Sequence, residues 1–351
     1  MKRKCISLLL ITALTASLFT GCGSKATSSS GEELNIYVWT EYVPQSVIDK
    51  FTEETGIKVN MSTYSSNEDL LAKVKAESEG TFDIVQPSDY MVEQMINNDM
   101  LLELDKDKLT NISYIDEAYL DPSYDPGNVY SVPYIGGAGL IAVNKSKVDA
   151  DITSYADLFD PSLTNSMVVL DDFRAVIGMV SKSMGYSMNE TDPAVLADVE
   201  EQVLALKNNI KLYDSDSPKS SLISGDCTAA FCWSAEIALA MSENSDIEVI
   251  CPEEGPFLFM DNWCITKGAK HVDAATQFIN FMLDPENMQL VLEEFPYVCP
   301  NTEAVEAMGE EYSSNIAKNP PADVIAKGEY VQNLDVDTLA IYDEIWTKLK
   351  K

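Results

Sequence analysis

The chain has 351 residues, 57 acidic and 24 basic, with one histidine, seven cysteines and a formal net charge of −33. That balance excludes a nucleic-acid partner, which needs clustered Lys and Arg on a folded face. A single histidine leaves little for His-rich metal sites or His-assisted nucleophiles. The apolar fraction of 46% supplies a packed core, and the length suits two domains or one large one.

Lys2, Arg3 and Lys4 precede a short apolar stretch, Cys5 to Phe19, that ends at Thr20-Gly21-Cys22. The stretch is too short to span a bilayer comfortably and reads as a targeting segment. Small residues before a cysteine resemble the bacterial lipoprotein cleavage signal, although Phe19 stands where leucine is usual. Residues 1–21 are therefore expected to be a signal peptide. Lipid on Cys22 would anchor the protein to the outer face of the cell membrane, whereas an ordinary secretory signal would leave it periplasmic. Losing three cations takes the net charge from −33 to −36, which favours solubility and attracts cationic solutes. Residues 22–30 are small and polar, a flexible tether.

The body then alternates. Leu34 to Trp39 reads as a buried strand. Pro44 to Thr55 reads as a helix with a first-turn proline, closed by Gly56. Strands at Ile57–Met61 and Phe82–Val85 flank a helix at Asn67–Ser78, and Tyr90–Met100 is helical again. This β-α-β-α-β-α order is the pattern of a parallel sheet covered by helices. It pauses over Asp121–Gly139, rich in Pro, Gly, Tyr and Asp. A second series begins at Leu140–Asn144, with strands at Met167–Leu170, Ile210–Tyr213, Thr228–Trp233, Ile247–Ile250 and Asn262–Thr266. From Asp273 onward the chain is mostly helical. The fold class is α/β in two lobes. The ligand is expected in the cleft beyond the carboxyl ends of the strands.

Aromatic rings and carboxylates recur at those strand ends: Trp39-Thr40-Glu41-Tyr42, Ser88-Asp89-Tyr90, Asp171-Asp172, Trp233, Phe259-Met260-Asp261, and Tyr297 in a Pro-Tyr-Val-Cys-Pro loop. A ring face attracts a cation and packs on methylenes, and a carboxylate binds an ammonium. Together they describe a receptor for a linear aliphatic polycation. Read singly, each residue also suits rim core or a helix cap.

Several stretches resemble the spermidine/putrescine-binding proteins of bacterial polyamine ABC importers. They are Trp39-Thr40-Glu41-Tyr42-Val43-Pro44, Phe51 to Val59 (FTEETGIKV), Ser62-Thr63-Tyr64, Asp83 to Ser88 (DIVQPS), Ser131 to Ile135 (SVPYI), Asp171-Asp172-Phe173-Arg174 and Ile341-Tyr342-Asp343-Glu344. Their order is colinear from Leu34 to Leu349. The resemblance implies a two-lobe periplasmic-binding-protein-like fold with hinge crossings. Lobe 1 would hold 31–136 plus 260–305, and lobe 2 137–259 plus 306–351. It implies a monomer whose partners are putrescine or spermidine and the importer's permease subunits. Trp39, Tyr42, Trp233 and Phe259 would wall the site, with Thr40 and Glu41 beside them. Ser88, Tyr90, Tyr297 and Gln332 would supply polar contacts, and Asp172 and Asp261 the charge. Three positions depart from the pattern: Ala175 lacks a second carboxylate, and Phe259 and Gly136 replace tryptophans. Two carboxylates balance a diamine more naturally than a triamine. Trp263, on the same strand as Asp261, reads as core.

No G-x-S-x-G, Walker loop, dinucleotide fingerprint or EF-hand loop appears, so no catalytic residue, cofactor or metal is implied. The lone His271 reads as a solvated or capping residue. Five body cysteines without C-x-x-C leave disulfide pairing open, with Cys232 and Cys264 as core fillers. A receptor of the same architecture for another cationic solute is the alternative reading, and a surface hydrolase is a more distant one.

Overall fold

The computed structural model describes residues 32–351; the expected signal peptide, Cys22 and the tether lie outside the described residues. Ten strands form one continuous sheet among those residues: β1 (Glu33–Trp39), β2 (Lys58–Tyr64), β3 (Ile84–Val85), β4 (Ser131–Asn144), β5 (Met167–Val169), β6 (Ile210–Tyr213), β7 (Ala229–Trp233), β8 (Ile247–Ile250), β9 (Phe257–Ile265) and β10 (Glu329–Tyr330). Their order is β2-β1-β3-β9-β4-β7-β5-β6, with β8 on β4 and β10 on β9. The parallel trio β2-β1-β3 ends one side, and the parallel set β7-β5-β6 ends the other.

The two sides are joined by β4 and β9, which run antiparallel to each other. The first half of β4 pairs β9, and its second half pairs β7 and β8. The far end of β9 pairs β3 through Val85↔Cys264. The expected crossing points prove to be register partners, Gly136↔Met260 and Gly137↔Phe259. The expected third crossing, between residues 305 and 306, falls inside the helix Thr302–Ser313, which kinks at Gly309.

Most elements stand where hydrophobic periodicity puts them. The helix Gln45–Thr55 buries Val47, Ile48 and Phe51, and ends at Gly56, whose φ of 75° and N–H bond to Thr52 O form the expected cap. One expectation fails. Asp121–Gly139 is not irregular throughout, because Ser131–Gly139 lies in β4, a 14-residue strand buried along its whole length. Pro133, Gly136 and Gly137 read as strand breakers. The structure accommodates Pro133 at a register shift, and the glycines allow close approach of β9. A Cβ at Gly136 would stand 2.5 Å from the Phe259 carbonyl oxygen. Likewise β9 begins at Phe257, five residues before the expected strand.

Candidate ligand-binding cleft

The cleft is built from the carboxyl ends of strands on both sides of the sheet. β1 delivers Trp39, and Thr40, Glu41 and Tyr42 follow it. Glu41 turns the chain with a φ of 51°, a left-handed geometry that costs a non-glycine residue roughly 1–2 kcal/mol. β3 leads to Ser88 and Asp89, where the helix Asp89–Asn97 starts. β5 leads to Asp172, the N-cap of the helix Phe173–Ser183. β7 ends at Trp233, and the helix Ser234–Glu243 begins there and carries Glu236 in its first turn. On β9, Phe257, Phe259 and Asp261 alternate onto one face. These residues line a cavity of about 700 Å³, part of it open to solvent.

Asp261 is the central acid. It is 2% exposed. Ser88 Oγ donates to its Oδ1 at 2.5 Å, and the Tyr42 hydroxyl donates to Oδ2. A bridge between Ser88 and the Asp261 strand fixes the first of these. No cationic side chain of the described residues lies within ion-pair distance of it. Burial pushes its pKa from 3.8 up to about 7, against the lowering effect of the Ser88 and Tyr42 donors. The Trp39 indole nitrogen, in the same cavity wall, is buried without a hydrogen-bond partner.

Rings form a continuous wall beside this acid. Trp233 meets Phe259 at 5.1 Å and Phe257 at 5.7 Å between centroids. Phe259 reaches Tyr297 at 6.2 Å, and Tyr297 reaches Tyr42 at 4.9 Å. Behind Phe259 there is no slack, since a Cβ at Gly137 would lie 2.8 Å from its ring. Trp233 is oriented by its indole N–H, which donates to Ser215 O at 3.2 Å.

The second acid, Asp172, is half-buried and accepts the Ala175 N–H at 3.0 Å as a helix cap. Its burial raises its pKa, opposed by that N–H and by the neighbouring Arg174. Tyr90 gives its hydroxyl to Glu68 at 3.0 Å. The Arg174 guanidinium lies between the Tyr90 and Tyr342 rings, at 5.3 and 5.6 Å, and donates to Gln332 O at 2.9 Å. Asp89 is buried and accepts the N–H groups of Tyr90 and Met260 at 2.7 and 3.3 Å. Elsewhere on the lining, Glu41 and Glu236 both pair with Lys219, at 2.7 and 2.9 Å.

Eleven of the twelve residues expected at the site line this cavity: Trp39, Thr40, Glu41, Tyr42, Ser88, Tyr90, Asp172, Trp233, Phe259, Asp261 and Tyr297. Gln332 does not. It lines a neighbouring recess, and Val331 takes the place at the cavity. Thr40 faces the cavity, but its hydroxyl donates to Tyr64 O at 3.2 Å. Sequence reasoning missed Glu236, Phe257, Arg174 and Asn67 among the lining residues. Two had a signal: Phe257 lies two residues before Phe259 on a strand, and Glu236 lies three after Trp233 on a helix. Trp263 is fully buried against Tyr134 at 4.6 Å and Phe278 at 5.6 Å, as core. His271 pairs with buried Asp83 at 3.0 Å, away from the cleft. The five cysteines of the described residues are free, and Cys232 and Cys264 are wholly buried. No group of three or more His, Cys, Asp or Glu among those residues is arranged to hold a metal ion.

A single sheet continued through two shared strands, with a ring-walled acidic cleft at the strand ends, defines a two-lobed solute receptor. The model of the bacterial extracellular solute-binding protein family matches residues 46–321, and the chain belongs to that family. It is 39% identical over 328 residues to the spermidine/putrescine-binding periplasmic protein of Salmonella typhimurium, covering 93% of this chain and 94% of that protein. The spermidine/putrescine ABC transporter substrate-binding protein of Streptococcus pneumoniae superposes with a TM-score of 0.79 at 34% identity, covering 91% of this chain and 98% of that one. A lipoprotein of Treponema pallidum superposes with a TM-score of 0.80 at 30% identity, over 91% of this chain and 99% of that one. The family is one of solute-binding proteins, not enzymes.

Proposed function

We propose that this protein is the extracytoplasmic substrate-binding component of a polyamine ABC importer. It takes putrescine or spermidine from solution and presents it to the permease subunits. The observation that carries this reading is Asp261, a buried carboxylate held by two hydroxyl donors, with no cationic partner among the described residues, beside a wall of rings. An ammonium placed there supplies the missing charge, and the rings exclude water and pack on the methylenes. Asp172, from the other side of the sheet, takes the second amine. The names of the relatives point the same way.

Lobe 1 comprises residues 31–136 and 260–305 and lobe 2 residues 137–259 and 306–351, so that bending at the paired crossing points Gly136–Gly137 and Phe259–Met260 closes the cleft. The negative field of the whole chain steers cations inward, more strongly at low salt. Lipid on Cys22 holds the receptor at the membrane surface, a reading supported by the lipoprotein among its structural relatives. Among the described residues no helix is long and apolar enough to cross a membrane.

Titration calorimetry with putrescine, spermidine, an amino acid and a sugar tests the assignment. Micromolar polyamine binding, which requires only about −8 kcal/mol, is the expected result. Polyamine affinity no better than that for the amino acid or sugar overturns it.

A further inference from the structure

Two acids of the cavity lining, Glu41 and Glu236, already hold one primary ammonium between them. Lys219, at the start of the helix Lys219–Ser224, places Nζ 2.7 Å from Glu41 Oε2 and 2.9 and 3.0 Å from the two Glu236 oxygens. Glu41 follows β1, on the β2-β1-β3 side of the sheet, and Lys219 and Glu236 belong to the β7 side. Two carboxylates from opposite walls around one alkylammonium is the arrangement a polyamine end requires. Glu236 is 4% exposed, and Lys219 is its ion-pair partner. It lies one turn beyond Trp233, so the ring wall leads to it. Tyr297 lines the same cavity as Glu236 and Asp261. Among the described residues, by contrast, no lysine pairs with Asp261 or Asp172.

We propose that Lys219 is a specificity-determining residue, a resident cation filling the subsite that Glu41 and Glu236 would otherwise offer to a third amine, so that the receptor prefers diamines to triamines. This rests on the polyamine reading of the cleft. A diamine satisfies Asp261 and Asp172 and leaves Lys219 undisturbed. A triamine must displace the lysine or place its third ammonium against a subsite that another ammonium already occupies, and either disfavours it. Removing the lysine leaves Glu236 buried and unpaired, a vacancy that only the longer ligand fills.

Affinities of the full folded chain for putrescine and spermidine, measured by calorimetry on the wild type and on Lys219→Met, which keeps the apolar stem, test the proposal. The wild type should bind spermidine no more tightly than putrescine. In Lys219→Met the spermidine-to-putrescine affinity ratio should rise at least tenfold. In Lys219→Met/Glu236→Gln the ratio should return toward wild type. An unchanged ratio in Lys219→Met, with putrescine still bound, overturns the role of Lys219 and leaves the polyamine reading intact. Spermidine binding the wild type more than tenfold tighter than putrescine overturns it without any variant. Neither amine binding the wild type is failure of the underlying assignment.

Discussion

Asp261→Asn separates a ligand-binding role from a structural one, because the structure predicts opposite signs for the two readouts. The substitution keeps the shape of the side chain and an acceptor for one of the two hydroxyls, Tyr42 or Ser88, leaves the other to turn and accept from the amide N–H2, and removes the charge. Breaking a buried ion pair by deleting one partner costs about 3–5 kcal/mol, so putrescine affinity at pH 8 should fall by at least about a hundredfold. In the unliganded protein the same carboxylate is a burden. A group that titrates near 7 instead of 3.8 has its ionised form disfavoured by about 4 kcal/mol. Between those pH values the native state retains a proton that the unfolded chain has released, so its stability falls as pH rises through that window. Asp261→Asn removes this term, and the unliganded variant should melt above wild type at pH 8 and near it at pH 4. Wild-type putrescine affinity should itself drop roughly a hundredfold from pH 8 to pH 5, as Asp261 protonates, while the variant's should fall much less, keeping only the part that Asp172 contributes. Calorimetry and thermal melts across pH measure both. Affinity within threefold of wild type would place the amine elsewhere. A lower melting temperature at pH 8 together with lost affinity would make Asp261 a structural residue.

Ser88→Ala removes a hydroxyl that favours the ionised form of Asp261; a hydrogen bond to a charged group is worth about 1.5–3 kcal/mol, so the midpoint of the affinity–pH curve should move upward by roughly one to two pH values. Gly136→Ala forces a Cβ to 2.5 Å from the Phe259 carbonyl, and overpacking of about 1–3 kcal/mol should appear as a melting temperature several degrees lower. Cys22→Ala should release the protein from the membrane fraction into the soluble fraction, and unchanged membrane association would rule out lipid on that cysteine as the anchor.

Much of the fold is legible because its elements carry one period each. The strand Ile210–Tyr213 and the helix Gln45–Thr55 follow from local pattern and capping alone. β4 is not legible in this way. Its glycines and proline signal a turn by local chemistry, and only the antiparallel partner β9, more than a hundred residues later, makes them strand residues. The site divides similarly. Residues adjacent to a strand end, such as Trp39 and Asp172, are found by reading outward from the strand. Arg174, which lines the cavity, and Lys219, which bonds to its lining acids, act through side chains that reach across from helices, and no spacing in the sequence announces them. Gln332 shows the reverse case: a position implied by the family resemblance comes to rest outside the cavity lining, beside Val331, which reaches it.

The cleft poses an electrostatic problem that its acids solve. Three helices, Asp89–Asn97, Phe173–Ser183 and Ser234–Glu243, begin at its edge. Each presents unpaired N–H groups and about half a positive charge, which would repel a cationic solute. Each also carries a carboxylate in its cap or first turn: Asp89, Asp172 and Glu236 respectively. Helix capping and cation recognition are therefore not competing explanations for these residues. The bond from Ala175 N–H to Asp172 Oδ1 satisfies the helix and leaves Oδ2 for an ammonium. Neutralising the helix ends is what allows Asp261, which faces no helix N–H of its own, to supply the net attraction.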